Sequence, residues 1–192
     1  LFDYISDGSL QWADMGDIYD RIVIGNKTYD FVKGVTNFKE NLLIDFPNEG
    51  KAISAYIDLV FKVVKSSRSF FIEKSLHPVW KYLFGSFMKK SFLNFSNKTT
   101  IDVLKKITNN ESLIKVLTGQ YGDYGLPPSK SSFAMHAMLV RHYFSGGYFP
   151  VGGSSRIAES ILPIIKSAGG NVLVKAQVSE VIVNNNIAIG VK

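Results

Sequence analysis

HYFSGGYFPVGGSS (His142–Ser155) holds two Gly-Gly pairs directly ahead of a helix-like segment. Glycines before a helix often cradle a phosphate, so this stretch decides between a nucleotide-binding fold and something else. A Walker loop needs a Lys and a Ser or Thr at fixed places after its glycines, and GGYFPVGGSS has no such Lys. The dinucleotide fingerprint G-x-G-x-x-G must follow a strand, whereas the upstream segment SSFAMHAMLVRHYF reads as a helix. Both nucleotide-loop readings fail. What remains is Gly152, Gly153, Ser154 and Ser155 leading into a helix N-terminus with free N–H groups. Those groups suit an anionic or polar ligand, but local physics favours a tight turn with an N-cap.

Working outward, SSRIAESILPIIKSAGG is a helix with Ile157, Ile161, Ile164 and Ile165 on one face, a kink expected at Pro163, and Gly169-Gly170 as its stop. The chain then reads as strand: NVLVKA, VSEVIV, a turn at NNN, and IAIGVK. Upstream, Tyr19–Val32 reads as a β-hairpin with its turn at Gly25-Asn26. DFPNEG punctuates the chain, with Pro47 as a stop and Asn48 as a cap. Glu49–Lys74 is helical, with Ile53, Tyr56, Ile57, Val60, Phe61 and Val64 on one face. His77–Phe95 follows as a second helix with a Trp80, Leu83, Phe84, Phe87, Met88 stripe. KTTIDVLKKITNNESLIKVL gives two short helices capped by Thr99 or Thr100 and by Asn109 or Asn110.

The 192 residues are 46% hydrophobic and 20% charged, enough for a real core. Aromatics at 13%, with 14 Phe, suit either a roomy apolar pocket or a Phe-packed interior. The absence of cysteine excludes disulfides, zinc–thiolate sites and Cys nucleophiles and is compatible with a reducing compartment. No signal peptide is visible, and no apolar run reaches the ~20 residues a membrane span needs. Starting at Leu1, the chain reads like a piece of a longer protein.

Charge is uneven. Residues 51–98 carry nine of the 22 Lys and Arg but only two of the 16 Asp and Glu, which suggests an anionic partner surface. Arg68 is the one arginine there and no nucleic-acid motif appears, so nucleic acid is not expected as the partner. Large aromatics beside Lys81, Lys89 and Lys90 suit a core helix, a partner interface or peripheral membrane contact through 77–95. His136 and His142 stand six apart and do not share a helix face, so no metal site is expected. Arg141 and His142 are either a satisfied polar edge or a substrate or cofactor contact.

The segment from Gly119 onward also resembles a known family. Gly119-Gln120-Tyr121-Gly122-Asp123-Tyr124-Gly125, Tyr148-Phe149-Pro150-Val151-Gly152-Gly153, the Ile-rich helix ending in Ala168-Gly169-Gly170, VSEVIV and GVK are similar to the retinol saturase branch of the phytoene desaturase and carotenoid isomerase family. LQWADM and DFPNEGKAISAYI resemble the same family's substrate region, so the likeness covers nearly the whole chain.

The resemblance implies an α+β fold: the substrate domain of a two-domain FAD-dependent flavoprotein, a mixed sheet plus helices, with the C-terminal strands belonging to the FAD domain. Residues 1–150 are then substrate-binding, and 151–192 return into the FAD-binding domain. It implies Val178, opening the VxxI strand, as a contact on the FAD adenine side, with Gly152 and Gly153 as further cofactor residues. Tyr121, Tyr124, Tyr148 and Phe149 become the substrate-pocket candidates, with His136, Arg141 and His142 beside them. No residue stands out as a catalytic acid or base. The implied activity of the full-length protein is oxidoreduction at a carbon–carbon double bond of a long apolar polyene or isoprenoid, on the cytoplasmic side and peripheral to the membrane. Whether NAD(P) supplies electrons stays open, as do a flavin amine oxidase-like enzyme and a lipid-binding module without redox activity. Because the fingerprint is missing, the chain alone is expected to hold no flavin tightly and to be inactive.

Overall fold

The computed structural model describes residues 1–192. It is α+β, with helices predominating over small two-stranded sheets. The chain divides into two compact units, Asp14–Tyr148 and Leu1–Ala13 with Phe149–Lys192.

The chain opens with a short helix α1 (Phe2–Ile5) and a three-residue strand β1 (Trp12–Asp14). The larger unit is built on a hairpin and a set of helices. β2 (Ile18–Ile24) and β3 (Lys27–Val32) pair antiparallel with Ile22 opposite Tyr29 and Ile24 opposite Lys27. Gly25 takes the φ of 61° that this tight turn requires. A register irregularity between Ile18 and Asp20 resets the alternation, so Tyr19 is buried although it is out of phase with half-buried Ile22 and Ile24. Tyr19, Tyr29 and Phe31 then join a core with Phe38 and Leu42 of α2 (Val35–Asp45), a helix that buries only these two side chains.

α3 (Gly50–Ser75) follows a 3-10 turn at Pro47–Glu49. Asn48 lies inside that turn; the helix starts after Glu49 with no side-chain cap. Ile53, Tyr56, Ile57, Val60 and Val63 bury the apolar stripe, while Phe61 is 40% exposed. α4 (Pro78–Ser96) runs back along α3, and Phe70 meets Phe92 with ring centroids 4.5 Å apart. α5 (Thr100–Leu104) and α6 (Glu111–Leu117) are capped as their sequences indicate: Thr99 accepts from the Asp102 N–H and Asn110 from the Leu113 N–H. α7 (Phe133–Tyr143), capped by Ser132, buries Phe133, Ala134, His136, Ala137 and Val140 against α3 and its neighbours.

In the smaller unit, α8 (Ser155–Ser167) ends as its glycines indicate, with Gly169 at φ 78° and the Gly170 N–H donating to the Ile165 carbonyl at 2.8 Å. β5 (Val181–Asn184) and β6 (Ile187–Val191) form an antiparallel hairpin turned by Asn185 and Asn186, both at positive φ. NVLVKA, expected as a strand, is irregular here. Leu173 and Val174 are 75% and 82% exposed, and no strand lies beside them to accept a ladder.

Between α6 and α7, GQYGDYG forms a 3-10 segment, Gly119–Tyr124, closed by Gly125 at φ 78°. Its first glycine answers to packing: a Cβ there would stand 2.7–2.8 Å from three atoms of the Ile22 side chain. Gly119→Ala is expected to cost about 1–3 kcal/mol, read as a lower denaturant midpoint. Adding Ile22→Ala should recover part of that loss in a double-mutant cycle; strictly additive losses would show that the two side chains do not compete for space.

Candidate functional site

GQYGDYG works as a strap whose side chains alternate between partners in the larger unit. Gln120 is buried and donates from Nε2 to Asp20 Oδ2 of β2 at 2.9 Å. Asp123 accepts from the Tyr143 hydroxyl of α7 at 2.9 Å. Burial first, then this carboxylate, pushes the Tyr143 phenol up to about 12. Tyr143 in turn stacks on Tyr19 at 5.1 Å with the rings nearly parallel.

Tyr124 turns inward to His136. The imidazole is 1% exposed, with Nε2 2.8 Å from the Tyr56 hydroxyl and Nδ1 3.3 Å from the Tyr124 hydroxyl. A neutral imidazole has one N–H and one acceptor nitrogen, so one tyrosine accepts from the ring and the other donates to it. Thr100 and Ser131, 2.9 Å apart through their hydroxyls, lie beside Tyr124 at the outer end of this chain. Burial lowers the His136 pKa to about 4 and raises that of Tyr56 well above its ordinary value.

Two concavities open beside this framework. A cleft of about 360 Å³ lies between α3 and α7, lined by Val64, Ser67, Met138, Arg141, His142 and Ser145. Its wall is apolar and its rim polar. The Arg141 guanidinium sits 5.2 Å above the Phe61 ring, which stacks on Phe144 at 5.9 Å, and no carboxylate pairs with it. A second groove of about 380 Å³ includes Ile22, Ile24, Thr118, Gly119, Tyr121 and Pro128.

The expected site residues therefore separate. Arg141 and His142 share the α3/α7 cleft, and Tyr121, 49% exposed, lines the other groove. Tyr124 and His136 form the buried polar chain. Tyr148 and Phe149 are both about half exposed, at 56% and 52%. The partners Asp20 and Tyr56 have no sequence signal, because they lie 100 and 80 residues from the side chains they meet.

The glycines of the 142–155 stretch have distinct duties. Gly146 takes φ 94°, and Gly147 lets the chain pass Tyr19 and Met15, whose atoms would lie 3.1 and 3.2 Å from an added Cβ. Three residues before the second pair are a short strand, β4 (Tyr148–Pro150), so a strand and not only a helix precedes these glycines. The loop still makes no phosphate cradle. Gly152 and Gly153 have φ of 88° and 97°, a backbone twist that by itself favours glycine at both positions. The Arg156 and Ile157 N–H groups already donate to Gly153 and Ser154 carbonyls. Val178 is 55% exposed and lies outside β5, just before Ser179 and Glu180, which exchange backbone hydrogen bonds with Lys192. These residues do not by themselves fit a flavin or a nicotinamide.

The larger unit thus combines a hairpin and helices with two concavities open at its surface. No family model matches the chain. It is 34% identical over 200 residues to the all-trans-retinol 13,14-reductase of Danio rerio, which covers all of this chain and 33% of that protein. The human all-trans-retinol 13,14-reductase is 36% identical over 96% of this chain and 32% of its own length. The chloroplastic prolycopene isomerase of Daucus carota is 25% identical over 81% of this chain and 26% of its own length. The chain belongs to this retinol saturase and carotenoid isomerase family and spans about a third of the length of the curated relatives it matches.

His136 generates a pH dependence. The folded state holds it neutral down to about pH 4, whereas the unfolded chain takes up a proton near the ordinary histidine value of about 6.5. The unfolded state therefore binds more protons in that window, and stability falls as pH drops from about 6.5 toward 4. The loss should be on the order of 3 kcal/mol. Denaturant unfolding at a series of pH values checks it: His136→Gln should flatten the profile in this window, and an unchanged slope would assign it to carboxylates instead.

Proposed function

We propose that this chain is the substrate-side portion of an FAD-dependent oxidoreductase acting on carbon–carbon double bonds of a long apolar polyene or isoprenoid. Similarity along the whole chain to proteins named for all-trans-retinol reduction, and along most of it to one named for prolycopene isomerisation, carries the reading. Both names denote long conjugated apolar molecules. The larger unit supports it with two clefts of the size that small-molecule sites occupy. In the α3/α7 cleft, Val64 and Met138 would hold the apolar body, and Arg141 and His142 would meet a hydroxyl or carbonyl end.

The smaller unit supports a place in a larger sheet. Val181, Ile182, Val183, Ile187, Ile189 and Val191 are 41–66% exposed, so both faces of the β5–β6 hairpin are apolar. A strand pair of that composition belongs where both faces are covered. Residues 151–192 then join the flavin domain, and the flavin, which supplies the redox chemistry when bound, is held mainly by residues outside this chain. The part left to this chain is to bind the polyene, orient it and keep water from it.

Titration of the purified chain with all-trans-retinol, followed by ligand fluorescence, tests the substrate role. Saturable binding is expected, weakened about tenfold, or 1.4 kcal/mol, by Val64→Trp, which fills the cleft. Absence of saturable binding, or binding indifferent to that change, would remove the cleft from the proposal. The same preparation should be colourless; stoichiometric bound flavin would contradict the assignment of the flavin to residues elsewhere.

A further inference from the structure

The charges around the α3/α7 cleft have one sign. Along α3 from Leu59 to Ser75 the only carboxylate is Glu73, which is 1% exposed and turned against Gly85 of α4. Between Asp123 and Glu159 the sequence has none, so neither α7 nor the turn after it supplies one. Lys65 and Arg68, next to Val64 and Ser67 on α3, are exposed, and Arg141 stands on the opposite wall. A cleft with apolar walls and only cations around it carries a positive potential, which the low dielectric of those walls strengthens.

Arg141 itself is held but not used. Arg21 and Arg156 each pair with a carboxylate, whereas Arg141 is half-buried and has no ion pair. An arginine placed only to complement the C-terminus of α7 would bond the last carbonyls of that helix, and its guanidinium donates to none of them. What fixes it is the Phe61 ring, 5.2 Å from the guanidinium carbon and itself stacked on Phe144. That contact orients the group without giving its N–H fork an acceptor. The nearby Ser67 hydroxyl is committed to the Val64 carbonyl at 2.8 Å. A planar fork of donors matches a carboxylate, which takes two parallel hydrogen bonds, better than an alcohol, which offers a single oxygen.

We propose that the α3/α7 cleft takes a long apolar molecule ending in a carboxylate in preference to the corresponding alcohol, with Arg141 gripping the carboxylate and Val64 and Met138 lying along the apolar body. This deepens the substrate reading and rests on it for the polyene as occupant of the cleft. A free polyene carboxylate then competes with the polyene alcohol for the same place.

Equilibrium binding of all-trans-retinol, all-trans-retinoate and methyl retinoate to the full chain tests it, with cis-parinarate as a carboxylate probe that is not a retinoid. Retinoate is expected to bind about tenfold tighter than retinol or the ester, and to displace retinol. R141Q should bring retinoate down to the level of its ester. R141K should keep part of the preference, because the charge stays and the fork is lost. Circular dichroism of each variant reports whether it folds, and if R141Q does not, R141K decides. Equal binding of retinoate and its ester, or a preference undiminished in either folded variant, would overturn the proposal while leaving retinol binding, and with it the substrate reading, intact. Arg141-dependent binding of cis-parinarate without binding of any retinoid would support the carboxylate grip and remove the polyene reading instead.

Discussion

The larger unit depends on keeping a neutral imidazole in its interior. His136 is satisfied only if Tyr56 of α3 and Tyr124 of the strap both reach it. Losing either hydroxyl would leave a buried ring nitrogen unpaired, a penalty of about 1–3 kcal/mol. Helix α3, helix α7 and the GQYGDYG strap are therefore fixed to one another at a single point. Gln120 with Asp20 and Asp123 with Tyr143 extend the restraint to the hairpin and to the end of α7. Because all of these bonds except the exposed Asp123–Tyr143 one are buried or part-buried, they define one arrangement more sharply than apolar contact alone would.

The cleft follows from that arrangement. α7 turns Ala134, His136, Ala137 and Val140 into the core, which leaves Met138, Arg141 and His142 on the edge beside α3. Ser67 and Val64 close the other side. Arg141 has a ring beneath it and no carboxylate, so its hydrogen-bonding capacity remains available to a ligand in the cleft. The polar network thus shapes the cleft indirectly, by fixing the helix that carries its rim.

The two ends of the long helix α3 obey different physics. Its first half is fixed by the core, with Ile53, Val60 and Val63 fully buried. Its second half meets chiefly α4, through Phe70, Phe92 and the buried Glu73 carboxylate, and there apolar surface remains exposed to solvent. In the smaller unit the β5–β6 hairpin likewise exposes apolar side chains on both faces. In both places the sequence carries more hydrophobic surface than the fold of this chain buries.

The sequence by itself determined the local elements. Caps at Thr99 and Asn110, the turn at Gly25, the stop at Gly169 and the period of α3 all follow from backbone chemistry within a few residues. It also carried the family likeness, through motifs whose order alone is distinctive. Tertiary structure decided what each element faces. The periodic stripe of α4 looks from sequence like any apolar face; its exposure depends on which side α3 occupies. Tyr124 and His136 read as pocket candidates, but the imidazole is taken up by the Tyr124 and Tyr56 hydroxyls, 12 and 80 residues distant from it. NVLVKA has strand composition and no neighbouring strand, and a ladder needs a partner as well as a propensity. Local signals fix conformation because the energies involved are local, whereas burial and pairing depend on contacts that only the folded chain brings together.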